Sequence, residues 1–179
     1  MRDGRPPPTV SRPALLDDGK TDRAFRRMVY DLMTVGARMQ EVRDRIAAEM
    51  GVSGPQYAIL MAIAHLQDEG GGAGVRAVAR RLHVSGPFVT AQVNRLVDAG
   101  LVEKAPNPDD GRGVLLAIGA AGRAVIDRTA PSIRAANDAF FGNLDARDFD
   151  NLCRLAADLV ESSEEALETF DDGEVQAAQ

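Results

Sequence analysis

Apolar positions recur along the chain with two periods. Between residues 21 and 50, Phe25, Met28, Val29, Leu32, Gly36, Met39, Val42, Ile46 and Met50 fall at helical spacing and predict one long helix. Ser53 is placed to cap a second helix running to about Leu66, with Ile59, Leu60 and Ile63 toward the core. Val75, Val78, Ala79 and Leu82 predict a short third helix, broken by His83-Val84-Ser85-Gly86-Pro87. Ser85 caps a fourth helix with Val89, Val93 and Leu96 on one face, and Gly100 ends it. The period then shortens. Leu101–Lys104 and Val114–Ile118 read as strands, and Pro106–Gly111 supplies turn residues between them. Two more helices follow. One runs from Gly122 to Phe141, bent near Pro131, with Val125, Ile133, Phe140 and Phe141 apolar. The last, capped by Asp145, carries Phe149, Leu152, Leu155, Leu159, Val160 and Leu167.

Two amphipathic helices joined by a tight turn, then a hairpin, form a helix-turn-helix with a wing. The ordered pieces Val84-Ser85, Val89-Thr90, Asn94-Arg95-Leu96, Gly100-Leu101-Val102, Asp110-Gly111-Arg112-Gly113 and Gly122 resemble the MarR family of bacterial transcription regulators. The similarity extends to Val52–Tyr57 with Leu60, and to Pro131 and Asn137, so that roughly residues 22 to 168 follow the family pattern. The fold class implied is mostly α with a small β wing: a winged helix-turn-helix plus a helical dimerisation base. In that layout residues 51–119 form the DNA-binding domain, and residues 21–50 and 120–170 form the dimerisation region. Residues 1–20, rich in Pro, Arg and Asp, read as a disordered arm, and residues 171–179 as a disordered tail.

The fourth helix is the expected reader of a DNA major groove. Phe88 suits a thymine methyl, Gln92 an adenine, and Arg95 a guanine or a phosphate. Ser85, Pro87 and Thr90 at its start, with Arg76 and Lys104 beside it, are expected to contact or position the backbone. For Phe88, packing against Arg76 or a neighbouring helix is an equal alternative. The resemblance implies that Asp110 orients the wing and that Arg112 enters the minor groove, where negative potential is concentrated. The chain departs from the family at Ala91, where a basic residue is common, and at Ile118-Gly119, where a Leu-Thr pair usually precedes the next helix. A basic arm made by Arg2, Arg5 and Arg12 following the DNA is the alternative to an untethered tail.

A second candidate site concerns a small-molecule effector. Tyr57, Met61 and His65 share one face of the second helix, and Arg43 lies beside the apolar stripe of the first, between Met39 and Ile46. A guanidinium in a mostly apolar cleft suits an aromatic acid. The plain alternatives are Met61 in the core, His65 ending a helix and Arg43 snorkelling to water.

Net charge is −6, which argues against a nucleic-acid partner until its distribution is considered. From Gly72 to Leu115, six Lys/Arg face four Asp/Glu, a balance of +2. From Asn143 to Gln179, two face eleven, a balance of −9. The single Cys153, beside the last stripe, reads as a buried inert thiol and excludes an internal disulfide. His65 and His83 lie apart with no nucleophile–base pair or metal-ligand cluster around them, and no phosphate-cradling loop with lysine is present. An enzyme, a cofactor and a metal site are therefore not expected. The start has no secretory signal and no apolar run approaches membrane length, so a cytoplasmic protein is expected. The expected partners are double-stranded operator DNA, a second copy of the chain and a small effector. A protein-docking winged helix, and a DNA-binding regulator without an effector, stay open as alternatives.

Overall fold

The computed structural model describes residues 6–70, 73–107 and 110–177, with side chains described except at 110–112 and 170–177. The chain divides into two compact units, Met1–Ile133 and Arg134–Gln179.

In the first unit, a 3-10 turn, Pro13–Leu15, precedes α1, Arg23–Met50. Gly51 ends α1 in the left-handed conformation, donating its N–H back to Ala47 and Ala48. Then come α2 (Gly54–Asp68), α3 (Val75–Leu82) and α4 (Gly86–Asp98). Ser53 and Gln56 form a reciprocal capping box at the start of α2. His83 takes a positive φ of 51° between α3 and α4, which tightens the turn. Ile59, Leu60 and Ile63 of α2, Val78 of α3 and Val89, Val93 and Leu96 of α4 make the core, joined by Val102 and Leu116 of the wing. Each such side chain contributes about 1.5–3 kcal/mol on burial, so apolar period and core coincide.

The wing strands, β1 (Val102–Asn107) and β2 (Asp110–Ile118), pair antiparallel from Val102↔Ile118 to Pro106↔Val114, and the register shifts beyond Pro106. Both strands extend past the expected 101–104 and 114–118. Cross-strand pairing overrides the turn preference of Pro106-Asn107 and Asp110-Gly111. Pro106 is tolerated because it lies next to the register shift, where a missing donor costs little. On its other side β2 is bridged by the end of the glycine connector: Leu116 donates its N–H to the Ala73 carbonyl at 3.0 Å, and Gly74 pairs with Leu115. The connector is thus anchored at Ala73, which is buried; Gly71 and Gly72 lie outside the described residues. Gln67 of α2 holds the same strand, accepting from the Ile118 N–H at 3.0 Å.

The helix α5 spans Ala120–Phe141 with Pro131 inside it. It starts two residues earlier than the expected Gly122, and Arg123 donates its N–H to the Gly119 carbonyl at 2.9 Å. Gly122 is buried where any Cβ would collide with the Leu101 carbonyl, so glycine permits this approach. Thr129, fully buried, donates its hydroxyl back to Val125 and Ile126, a helix-face detail that the apolar pattern did not single out.

The segment expected as a disordered arm is tied down where it is described. Thr9 donates its N–H and its hydroxyl to the Asp22 carboxylate at 2.6 and 2.7 Å, and Asp22 is only 2% exposed. The local donors hold the Asp22 carboxyl below the usual carboxylate range, the Thr9 backbone N–H most of all. Arg2 and Arg5 lie outside the described residues.

In the second unit, α6 runs Ala146–Ala177, past residue 171, where a disordered tail was expected. Asp145 caps it, accepting from the Asp148 N–H at 2.8 Å. Phe149, Leu152, Leu155, Leu159, Val160 and Leu167 are all exposed in the single chain. Cys153, expected as a buried thiol, is exposed too, because it shares this uncovered helix. Phe140 and Phe141 pack with ring centroids 5.0 Å apart. No described helix is long and apolar enough to cross a membrane.

Candidate nucleic-acid interface

Burial of Val89, Val93 and Leu96 fixes the rotation of α4 and turns its other positions outward. Pro87, Phe88, Thr90, Ala91, Asn94 and Arg95 are exposed. Phe88 retains 40% exposure, which favours an outward-facing ring over a packed one. Ser85 is exposed and spends its hydroxyl as the helix cap, accepting from the Phe88 N–H at 3.3 Å. Thr90 donates to the Gly86 carbonyl at 3.0 Å, leaving its oxygen able to accept. These two hydroxyls stabilise the first turn of α4, a role that the sequence reading gave only to Ser85.

Gln92 is placed differently from its neighbours. Its side chain is half-buried, and Oε1 is enclosed with no hydrogen-bond partner among the described residues. An amide directed at adenine would have to turn away from this position. Lys104 on β1 is exposed, and its Nζ donates to Asn94 Oδ1 at 2.5 Å, joining wing to helix. Arg76 is exposed on α3. Arg81, one turn on, is engaged by Glu69: NH1 donates to Oε1 at 3.1 Å and NH2 to Oε2 at 2.6 Å. Asp110 starts β2, but its side chain and that of Arg112 lie outside the described residues.

The structure therefore gathers Ser85, Pro87, Phe88, Thr90 and Arg95 on one helix and links it to Lys104, while Gln92 is withdrawn. This is an exposed helix with an adjoining hairpin, polar and cationic on the outer side, supported by a dry core.

The effector candidates divide. Tyr57 is buried, and desolvation pushes its hydroxyl up while the positive charge of Arg43 pulls it down, so these two side chains are electrostatic neighbours. Met39 and Met61 are half-buried, and Arg43 and His65 are exposed. His65 acts on Glu69 instead, whose carboxyl is lowered first by the Arg81 hydrogen bonds and to a lesser degree by His65.

Residues 50–113 match the sequence model of the MarR family. No curated protein matches the chain by sequence. Among solved structures, apo MarR of Escherichia coli is 22% identical, the match covering 72% of this chain and 92% of that one, with a TM-score of 0.55. MOSR of Mycobacterium tuberculosis, solved in complex with DNA, is 20% identical over 77% of this chain and 96% of its own, with a TM-score of 0.60. BpsR of Bordetella bronchiseptica, whose DNA binding is regulated by 6-hydroxynicotinic acid, is 19% identical over 75% of this chain and 98% of its own, also with a TM-score of 0.60. Identities this low establish the shared fold, and the sequence model adds the family pattern across the helix-turn-helix and into the wing. Over residues 50–113 the chain is similar to the MarR family, and its fold is the winged helix-turn-helix fold of the solved MarR structures.

Proposed function

We propose that this protein is a repressor that binds a pseudo-palindromic operator as a homodimer and is released by a small acid-type effector. The family is one of DNA-binding regulators rather than enzymes. The observation that carries the DNA-binding reading is the outward face of α4, where Phe88, Thr90 and Arg95 stand exposed over a fully buried apolar side. In this reading α4 enters a major groove, Phe88 and Arg95 meet base edges, and Ser85, Pro87, Thr90, Arg76 and Lys104 set its position on the phosphates. Arg112, at the start of β2, enters the adjoining minor groove. Two copies place their reading helices about one DNA turn apart, roughly 10 base pairs between half-site centres. Its place of action is the cytoplasm.

The homodimer is supported by apolar side chains that the single chain leaves exposed, such as Leu32 and Met33 of α1 and Leu155 and Leu159 of α6. The effector is supported by the pairing of buried Tyr57 with Arg43, flanked in sequence by Met39 and Met61, and by the regulation of the structural relative BpsR by an aromatic acid. A ligand at this face acts by binding more tightly to a head spacing that does not fit DNA. Electrophoretic mobility shifts with DNA from the gene's own upstream region test the wing: Arg112→Ala is expected to weaken operator binding at least several-fold. Unchanged affinity removes the minor-groove contact from the reading.

A further inference from the structure

A depression of about 420 Å3 opens between the end of α2 and α3, lined by Leu66, Ala77, Arg80, Arg81 and His83. Leu66 and Ala77 supply apolar wall, and Arg80 and Arg81 bring two guanidinium groups to it. Arg81 already shows what its fork binds: both of its terminal nitrogens donate N–H groups to the two oxygens of one carboxylate, that of Glu69. This bidentate geometry suits an oxyanion that presents two oxygens side by side, as a carboxylate does. The pair is solvated, with side chains 40% and 54% exposed, so the carboxylate is held weakly and can be exchanged.

We propose that this depression binds a small organic carboxylate, whose carboxylate group replaces Glu69 on the fork of Arg81 and whose apolar body lies against Leu66 and Ala77. Glu69 is then a built-in competitor, and Arg80 adds a second positive charge beside the bound anion. The site is separate from the Tyr57–Arg43 face. It also adjoins the turn through which α2 holds the wing, since Gln67 accepts from the Ile118 N–H and the chain after Glu69 leads to the Ala73–Leu116 bond. A carboxylate is favoured over a phosphate because the fork is already occupied by one and the remaining wall is apolar.

The test is a titration of the full-length protein with benzoate, followed by amide chemical shifts, with inorganic phosphate as a second probe. Saturable shifts are expected at the amides of Leu66, Ala77, Arg80, Arg81 and His83. Glu69→Gln removes the competitor while keeping the shape, and is expected to tighten benzoate binding roughly two- to fivefold, the range an exposed ion pair allows. Arg81→Ala is expected to abolish saturation. Arg81→Lys, which keeps the charge but loses the fork, is expected to weaken it and serves if the alanine variant does not fold. Arg43→Ala is expected to change nothing at these amides. The proposal is overturned if these amides show no saturable shift, if Arg81→Ala still saturates or Arg81→Lys binds as tightly as the unaltered protein, if Glu69→Gln binds no more tightly, or if phosphate matches benzoate.

Discussion

Lys104 of the wing donates from Nζ to Oδ1 of Asn94 on α4, 2.5 Å apart, so wing and helix are linked by a charged donor. Both side chains are exposed, which lets the ammonium keep further donors for a phosphate. Removing either partner breaks the link, but only one removal changes charge. Lys104→Ala is expected to lower the slope of log affinity against log salt by about one unit. Asn94→Ala is expected to leave the slope unchanged and to weaken binding about two- to fivefold, the range of an exposed polar pair. Equal slopes for all three proteins would remove Lys104 from the phosphate contacts.

Gln92 carries an enclosed carboxamide oxygen without a partner among the described residues. Leaving a buried acceptor unsatisfied costs roughly 1–3 kcal/mol, so an apolar side chain of similar length should fit better. Gln92→Met is expected to raise the unfolding free energy by about 1 kcal/mol, read by urea denaturation. If operator affinity is unchanged in the same variant, Gln92 does not read adenine. A loss of affinity confined to sites with one particular A·T pair shows that the side chain turns outward on binding.

Thr9 and Asp22 fasten the proline-rich segment to the start of α1. The carboxyl is held below its ordinary value of 3.8, chiefly by the Thr9 N–H. A lowered carboxyl contributes stability that is fully present above the unfolded value and is lost as pH falls through the native one. The Thr9 amide proton should therefore hold its shift at neutral pH and move with a single inflection below 3.8. An inflection at or above that value would contradict the bond. Asp22→Asn is expected to abolish the inflection and to speed tryptic cleavage after Lys20.

The exposed leucines of α6 bear on assembly. Covering one leucine contributes about 1.5–3 kcal/mol, and a carboxylate in its place adds a desolvation cost. Leu159→Asp is expected to raise the dimer dissociation constant at least tenfold by sedimentation equilibrium. Folding of the monomer should be little affected, since Leu159 is exposed in the single chain. A monomeric wild-type protein at micromolar concentration would remove the homodimer.

The helices were legible because burial enforces a period of about 3.6 and caps are local chemistry. Ser53, Ser85 and Asp145 all cap as the sequence suggests. The wing was legible as two strands but not in extent, because cross-strand bonds, invisible to local propensity, carry β1 to Asn107 and start β2 at Asp110. The same applies to Thr9–Asp22, a contact across thirteen residues that no periodic pattern announces. Of the site residues, exposure of Phe88, Thr90 and Arg95 follows from the apolar side of α4. The withdrawal of Gln92 and the capture of Arg81 by Glu69 depend on side-chain conformations that residue type alone does not set. The charge of Arg43 on α1 acts on the buried Tyr57 hydroxyl on α2, a relation between two helices that the period within either one does not announce.

Fluorescence anisotropy with labelled DNA from the gene's own upstream region, repeated over a salt series and against a scrambled duplex, bears most directly on the regulator reading. A DNA-reading dimer predicts tight binding that prefers the native duplex and weakens steeply with salt as released counterions are counted. Equal affinity for native and scrambled DNA, or no binding at low salt, would contradict it and point to a winged helix that docks protein instead.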